Sequence, residues 1–379
     1  MSEIHDVLVV GGGPAGSTCA RALVAGGARV AVIDRADFPR VKLCAGWLSP
    51  AIWDVLGISP REYPRGLWEW HTAHVHFRGK DHKIPCHGWF IRRYELDDFL
   101  LRSCGAELHL GVNAKQITRD DDGLWRIGDL RGKYLVGAGG THCPVARMLA
   151  PPRPRRAVGV QELELQTTEQ IVARTRLGAN GEPELLLFDD VGGYGWNVPK
   201  SDWINVGCGT LDANKVRDAW RYTHDHLRTA GHVPAEAEPE LEHVKGHSYF
   251  LFDPAHLEGA QRDTALLVGD SLGLAHPITA EGILPATVSG RRAAEAILGG
   301  APASYPTRLR EDPVIADYRR VAGLVGAAAK LKKRVPAARP GKRDSDLGRK
   351  AVARGFAWMF SGKRLPGGRL LDLVLGNGR

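Results

Sequence analysis

The chain opens on a short, unbroken apolar run, Asp6-Val7-Leu8-Val9-Val10, of the kind that forms a strand buried on both faces. A glycine turn, Gly11-Gly12-Gly13-Pro14-Ala15-Gly16, follows at once and leads into an Ala/Leu-rich helical stretch, Ser17 to Ala25, closed by Gly26-Gly27. A second strand, Arg29 to Ile33, ends at Asp34 and completes a strand–helix–strand unit. Tyr134-Leu135-Val136 and Thr264-Ala265-Leu266-Leu267-Val268 are further buried-strand runs, and the latter precedes a helix predicted from about Gly282 to Leu298. Between these pieces the pattern changes. Trp68 to Phe77, Glu162 to Leu165, Glu184 to Phe188 and Trp203 to Val206 are short segments rich in β-branched and aromatic residues, separated by turn signals, and they predict an antiparallel sheet inserted into an α/β domain.

Each glycine of the first turn has its own mechanical task. Gly11 suits the tight turn, Gly13 the close approach of a pyrophosphate and Gly16 helix–strand packing, with phosphate on the helix N-terminus beside Pro14 and Ala15. Asp34, 23 residues after Gly11 and followed by Arg35, is placed to accept hydrogen bonds from a ribose diol. Strand, loop, helix and acid together predict a Rossmann-like dinucleotide-binding domain, made discontinuously from residues 1–48, 92–150 and 259–300. Residues 49–91 and 151–258 are assigned to a substrate-binding antiparallel sheet, with Pro151 to Arg156 as the crossover linker, and 301–379 to a basic helical C-terminal region.

Composition narrows the function classes. The chain has 379 residues, 43% hydrophobic and 25% charged, a balance that fits about two globular domains rather than a disordered chain. No apolar run approaches the ~20 residues of a spanning helix, and no signal-like segment fits before Asp6, so the expected compartment is cytoplasmic. Cys19, Cys44, Cys86, Cys104, Cys143 and Cys208 form no C-x-x-C pair, which speaks against zinc and iron–sulfur sites. His71, His74 and His76 are read as a half-buried sheet face rather than as metal ligands, so no metal is expected. The net charge of +8 is concentrated in the tail: from Lys330 onward 14 Lys/Arg face three Asp. Arg349 to Arg379 mixes these cations with Phe356, Trp358, Met359 and Phe360. It reads chiefly as an exterior helix packed on the body, with peripheral membrane contact as the second expectation. No base-stacking platform is recognisable, so nucleic acid is not an expected partner.

Several segments resemble the geranylgeranyl reductase family within the para-hydroxybenzoate-hydroxylase-like FAD superfamily. They are Gly11 to Gly16 with Asp34; Pro39 to Leu48, which includes Cys44, Ala45 and Trp47; Arg93 with Leu96, Asp97 and Leu100; Gly137-Ala138-Gly139-Gly140; Tyr194-Gly195-Trp196-Asn197-Val198-Pro199 followed by Gly207-Cys208-Gly209; and Gly269-Asp270 with Pro277 to Ile283. The resemblance implies FAD as cofactor, NAD(P)H or another external electron donor, and a cofactor site that includes Cys44, Ala45, Arg93, Gly139, Gly269, Asp270, Gly282 and Ile283. It implies a small hydrophobic substrate held by Trp47, Tyr194, Trp196 and Pro199. The sequence departs from the family pattern at Gly139, where Asp is usual, at Ala280, where Gly is usual, and at Val198 in place of Phe.

The residues themselves support parts of this. Asp270, just past a buried strand, can accept from ribitol hydroxyls or act as an ordinary helix cap, and the helix opening at Gly282 and Ile283 would stabilise a reduced flavin anion. Tyr194 and Trp196, two apart on a strand, share a face and suit either an apolar wall over a ligand or core packing. Cys44 suits a small apolar residue, a redox thiol or the proton donor of the reaction, the last being its candidate catalytic role. The expected activity is reduction of a carbon–carbon double bond in a hydrophobic, isoprenoid-type substrate. The alternative is a flavin-dependent monooxygenase or halogenase acting on a small aromatic or apolar metabolite.

Overall fold

The structure is a computed structural model that describes residues 3–149, 156–175, 177, 180–188, 192–235, 240–241, 243–334 and 346–362. Residues 151–155 of the expected linker, 335–345 and the tail beyond 362 lie outside the described residues. Two eight-stranded sheets carry the fold.

The first sheet has Ile4–Val10 at its centre, parallel to Val30–Ile33 on one side and to Leu130–Gly137 on the other. Glu107–His109 and Ala265–Leu267 extend it in parallel on either flank. Val7 to Val10 and Val30 to Ile33 are all buried, as unbroken apolar runs must be when helices cover both faces. Helix Pro14–Ala25 crosses helix Ile283–Leu298 so closely that a Cβ on Gly290 would stand 2.2 Å from the carbonyl oxygen of Ala15. The sheet and these helices set the two glycine turns, Gly11 to Gly16 and Gly269 to Gly282, side by side at the carboxyl ends of the parallel strands, where open α/β sheets bind ligands.

The second sheet runs in the order Lys245–Phe250, Ala157–Gln166, Trp203–Thr210, Gly193–Lys200, Glu184–Leu187, Trp68–Phe77, Lys80–Phe90, Trp47–Leu48. It is antiparallel except where Glu184–Leu187 runs parallel to Trp68–Phe77. Helix Val216–Ala230 covers one face, with Thr223 against Gly195 and Leu227 in an apolar cluster with Leu186, Ile204 and Val206. The other face looks toward the first domain.

Two assignments made from the sequence are corrected. Trp47–Leu48 belongs to the second sheet, with Trp47 paired to Phe90, because the chain crosses between domains before residue 48 rather than after it. Helix Ala51–Leu56 packs with Ile52 and Trp53 against the first domain's core, where the helix Ile283–Leu298 lies, although its range had been given to the substrate domain. Helix Asp346–Phe360, in the range assigned to the basic C-terminal region, lies on Trp68–Phe77 and Lys80–Phe90 with Val352, Ala353, Phe356, Ala357 and Phe360 buried. Its apolar face is turned to protein. No helix among the described residues is long and apolar enough to cross a membrane.

Candidate functional site

A cavity of about 1300 Å³ runs from the glycine turns to the inner face of the second sheet. That exceeds the roughly 300–1,000 Å³ of an ordinary small-molecule site, leaving room for two ligands end to end.

At the first end, Gly11 has φ +114°, and a Cβ there would stand 2.4 Å from the Ala138 carbonyl oxygen. Gly16 lies behind the loop, where a Cβ would meet the Gly11 oxygen at 1.9 Å, so it packs the helix on the turn and does not line the cavity. Gly13 caps helix Pro14–Ala25 without any side-chain hydrogen bond, so with Pro14 and Ala15 on the cavity wall its first amides face the space. Asp34 is fixed by the backbone: its carboxylate accepts from Gly12 N–H at 2.7 Å and Ala36 N–H at 2.9 Å, and the exposed Arg35 lines the rim beside it.

A second uncapped helix start faces the same cavity, formed by Gly282 and Ile283. Two positive helix ends aimed at one space favour negative charge there. Asp270 lies between them, burial pushing its carboxyl up while Lys42 and Arg93 pull it down, and Gly269, at φ +62°, makes the turn against Ala15 without reaching the cavity itself. Ala280 holds φ +59°, the left-handed conformation for which the family pattern supplies glycine. Gly139 lines the wall as the start of the turn Gly140–His142.

Arg93 reaches the middle of the cavity. Its guanidinium forks onto Asp97 at 2.6 and 2.8 Å, and Arg40 meets the same carboxylate at 3.1 Å. Burial disfavours the Arg93 charge, yet Asp97 holds its pKa above the ordinary value. Cys44 and Ala45 line the adjacent wall. Burial pushes the Cys44 thiol up, more than Arg93 lowers it, so this sulfur is a neutral thiol rather than a nucleophilic thiolate.

The far end is aromatic. Tyr194 and Trp196 lie on one face with ring centroids 5.8 Å apart, and Tyr194 donates its hydroxyl to the Thr279 carbonyl at 2.5 Å. Phe360 packs on Trp47 at 4.5 Å and Phe356 on Tyr194 at 5.1 Å, closing the apolar end. Pro199 is three positions from Trp196 on the strand, so alternation turns it to the opposite face, and it is buried outside the cavity; its assignment to the substrate site is corrected on that ground.

Sequence reasoning missed four contributors. Asn205, fully buried, accepts from Trp196 Nε1 at 2.7 Å and donates to the Cys44 carbonyl at 3.3 Å, tying the aromatic wall to the cysteine segment. Glu162 and Lys42 line the cavity, and Phe360 arrives from the chain's end. Glu162 and Asn205 fall in segments legible as strands, but which face they use depends on pairing. Phe360 was visible only as an aromatic tail. The histidines read as a sheet face sit beside carboxylates: His74 with Glu182 at 2.7 Å, His76 with Asp81 at 2.7 Å and His71 with Glu69 at 3.9 Å. Among the described residues, a buried Glu184 with His226 and His232 is a further cluster, its members hydrogen-bonded to one another at 3.1 and 2.7 Å under helix Val216–Ala230.

Comparison with known proteins agrees with this geometry. Residues 9–41 match the family described as NAD(P)-binding Rossmann-like domain. The chain is 29% identical over 312 residues to digeranylgeranylglycerophospholipid reductase 2 of Methanosphaera stadtmanae, covering 75% of each chain. It is 27% identical to the menaquinone reductase of Mycolicibacterium smegmatis, over 82% of this chain and 81% of that one. Among solved structures, a geranylgeranyl bacteriochlorophyll reductase-like protein of Thermoplasma acidophilum superposes with a TM-score of 0.62 at 18% identity, over 98% of this chain and 91% of that one. A probable FAD-dependent monooxygenase of Pseudomonas aeruginosa also reaches 0.62, at 20% identity, over 88% and 98%. The shared fold is thus that of flavoprotein oxidoreductases, and these two sequence relatives are named reductases.

Proposed function

We propose that this oxidoreductase, a relative of the geranylgeranyl reductases, uses FAD to reduce a carbon–carbon double bond of an isoprenoid-type substrate, with electrons from a nicotinamide dinucleotide or another external carrier. The observation that carries the reading is the continuity of one cavity from an uncapped glycine-turn helix to an aromatic wall.

The residues fit a flavin dinucleotide. The cradle at Gly11, which any Cβ would fill, admits a pyrophosphate against the amides of the helix at Pro14, and the Asp34 carboxylate, held by two backbone amides, suits a ribose diol. Asp270 and the helix start at Gly282 and Ile283 would hold the ribitol and the redox-active ring. The chemistry that FAD supplies, once reduced, is transfer of a hydride equivalent to an alkene carbon. The chain's own part is orientation and exclusion of water. Tyr194, Trp196, Trp47 and Phe360 offer a dry apolar bed, the Tyr194 hydroxyl and Trp196 indole being tied down by Thr279 and Asn205, so that neither polar group competes for the substrate.

The direct test is to purify the protein, confirm flavin by its visible spectrum, reduce it without oxygen and compare reoxidation by geranylgeraniol with reoxidation by air. Alkene-dependent reoxidation in the absence of oxygen is expected. Reoxidation that requires oxygen and yields a hydroxylated or halogenated product instead would overturn the reading in favour of a monooxygenase or halogenase.

A further inference from the structure

Reduction of an alkene needs a proton as well as a hydride, and the cavity contains a carboxyl group with a buried oxygen that has no hydrogen-bond partner. Strand Ala157–Gln166 presents Glu162 and Glu164 on the same face, two positions apart. Their surroundings differ sharply. Glu164 is saturated: Lys200, itself fully buried, donates to it at 2.7 Å and Arg92 at 3.3 Å. Glu162 is 1% exposed, lines the cavity, and its Oε1 is buried without a hydrogen-bond partner.

The sheet register explains how Glu162 reaches the aromatic wall. Trp196 pairs with Gly207, and Gly207 pairs with Glu162, so the three stand in one row on one face. Gly207 contributes no side chain to that row. A Cβ there would stand 2.3 Å from the Trp196 ring and 2.6 Å from the Glu162 Cβ, so the indole and the glutamate close over the glycine from either side. The G-x-G after the aromatic motif therefore has a local purpose: it lets a carboxyl group and an indole share the floor of the substrate bed.

We propose that Glu162 is the proton donor of the reaction, holding a neutral carboxyl against the aromatic wall and delivering its proton to the alkene carbon next to the one that receives hydride. The proposal rests on the alkene-reductase reading. In the step, the carboxyl O–H bond breaks and a C–H bond forms from the alkene's π electron pair, while hydride from the reduced flavin forms the second C–H bond. The carboxylate left behind takes a proton from water entering the cavity, whose wall includes Lys42. Burial raises the Glu162 pKa to about 8, with Lys200, Lys42 and Arg93 working against the rise and Glu164 adding to it. Cys44, Tyr194 and Tyr249 also face it, and each has its own proton held more tightly through burial and Glu162. An acid whose pKa lies near the working pH is both protonated and ready to give the proton up. On this reading the Cys44 thiol forms part of the wall and is not the proton source.

The test uses the flavin-loaded enzyme and has one readout that does not depend on turnover. Infrared spectra of wild type and Glu162→Gln, recorded without substrate from pH 6 to 9, are subtracted. A carboxyl C=O band that is lost in Glu162→Gln, fades as pH rises through about 8 in wild type and persists in Glu164→Gln is expected. Subtraction removes the bands of Asp270 and Glu281. The second readout is single turnover of geranylgeraniol by dithionite-reduced enzyme. Glu162→Gln should slow it by on the order of 10²–10⁴-fold with unchanged flavin content. Glu162→Asp should recover part of the rate. A difference spectrum without the band, or a Glu162→Gln rate equal to wild type, overturns the proposal. If wild type itself reduces no alkene while the band is present, the substrate reading has failed and the proton's destination with it, although the neutral carboxyl stands.

Discussion

Two adjacent aspartates on helix Arg93–Arg102 make a sharp test of how the site is held. Asp97 has 0% of its side chain exposed and carries two guanidinium groups, Arg93 through two contacts of 2.6 and 2.8 Å and Arg40 at 3.1 Å. Asp98 pairs with Arg102 at 3.2 Å, but that arginine is 53% exposed. Replacing Asp97 by Ala leaves two largely buried cations without a counter-charge, and breaking a buried pair in this way costs about 3–5 kcal/mol. Replacing Asp98 by Ala removes a screened surface pair worth about 0–1 kcal/mol. Since a folded domain is stable by only ~5–15 kcal/mol, the first variant should lose a large fraction of its stability and the second almost none. Arg93 also lines the cavity, so Asp97→Ala should retain less flavin on purification, whereas Asp98→Ala should retain the wild-type amount. Urea unfolding of the flavin-free proteins followed by tryptophan fluorescence measures the first effect, and visible absorbance per protein measures the second. If Asp97→Ala unfolds at the same urea concentration as Asp98→Ala, the view that one buried carboxylate organises both arginines is wrong.

Other expectations follow from single positions. Gly11→Ala puts a Cβ 2.4 Å from a carbonyl oxygen at φ +114°, and should abolish flavin retention, read as the visible absorbance of the purified protein. Ala280→Gly relieves a left-handed residue and should raise unfolding stability by about 1–2 kcal/mol, provided the loop keeps its conformation. Phe360→Ala should cost about 3–5 kcal/mol and open the apolar end of the cavity, so that activity shifts toward longer polyprenyl alcohols when a chain-length series is compared. Burial raises the Glu281 carboxyl from 4.5 to about 7, so between those values the folded protein holds a proton that the unfolded chain has lost. This group's stabilisation is therefore complete below about pH 4.5 and is lost as pH rises through about 7. His276 acts in the opposite sense. Burial lowers it to about 3, its neutral Nδ1 accepts from Ile278 and Thr279, and its stabilisation is lost as pH falls from 6.5 toward 3. Glu281→Gln should accordingly flatten the decline in urea midpoint of flavin-free protein between pH 5 and 8.

What the sequence makes legible is what depends on neighbours in the chain. The strand, glycine turn, helix and Asp34 lie within about thirty residues, and each is dictated by local sterics, so the nucleotide end of the cavity could be read directly. The aromatic pair Tyr194 and Trp196 was legible too, because strand alternation fixes a shared face without any knowledge of the partner strand; the same alternation excludes Pro199 once the cavity face is known. Glu162 and Asn205 are of another kind. Their place depends on the register Trp196 to Gly207 to Glu162, and a slip of one residue would put Glu162 on the face covered by helix Val216–Ala230. Nothing in a single strand specifies that register. It is set by the short turn between Lys200 and Trp203 and by which side chains the two faces must bury. Phe360 lies more than 160 residues from Tyr194, and its contact exists only because helix Asp346–Phe360 has an apolar stripe that must be covered and the first sheet's faces are already occupied. The sequence motif thus identifies the residues that would grip a dinucleotide, while the residues that would decide which double bond is reduced, and from where its proton comes, are assembled by pairing and packing between distant segments.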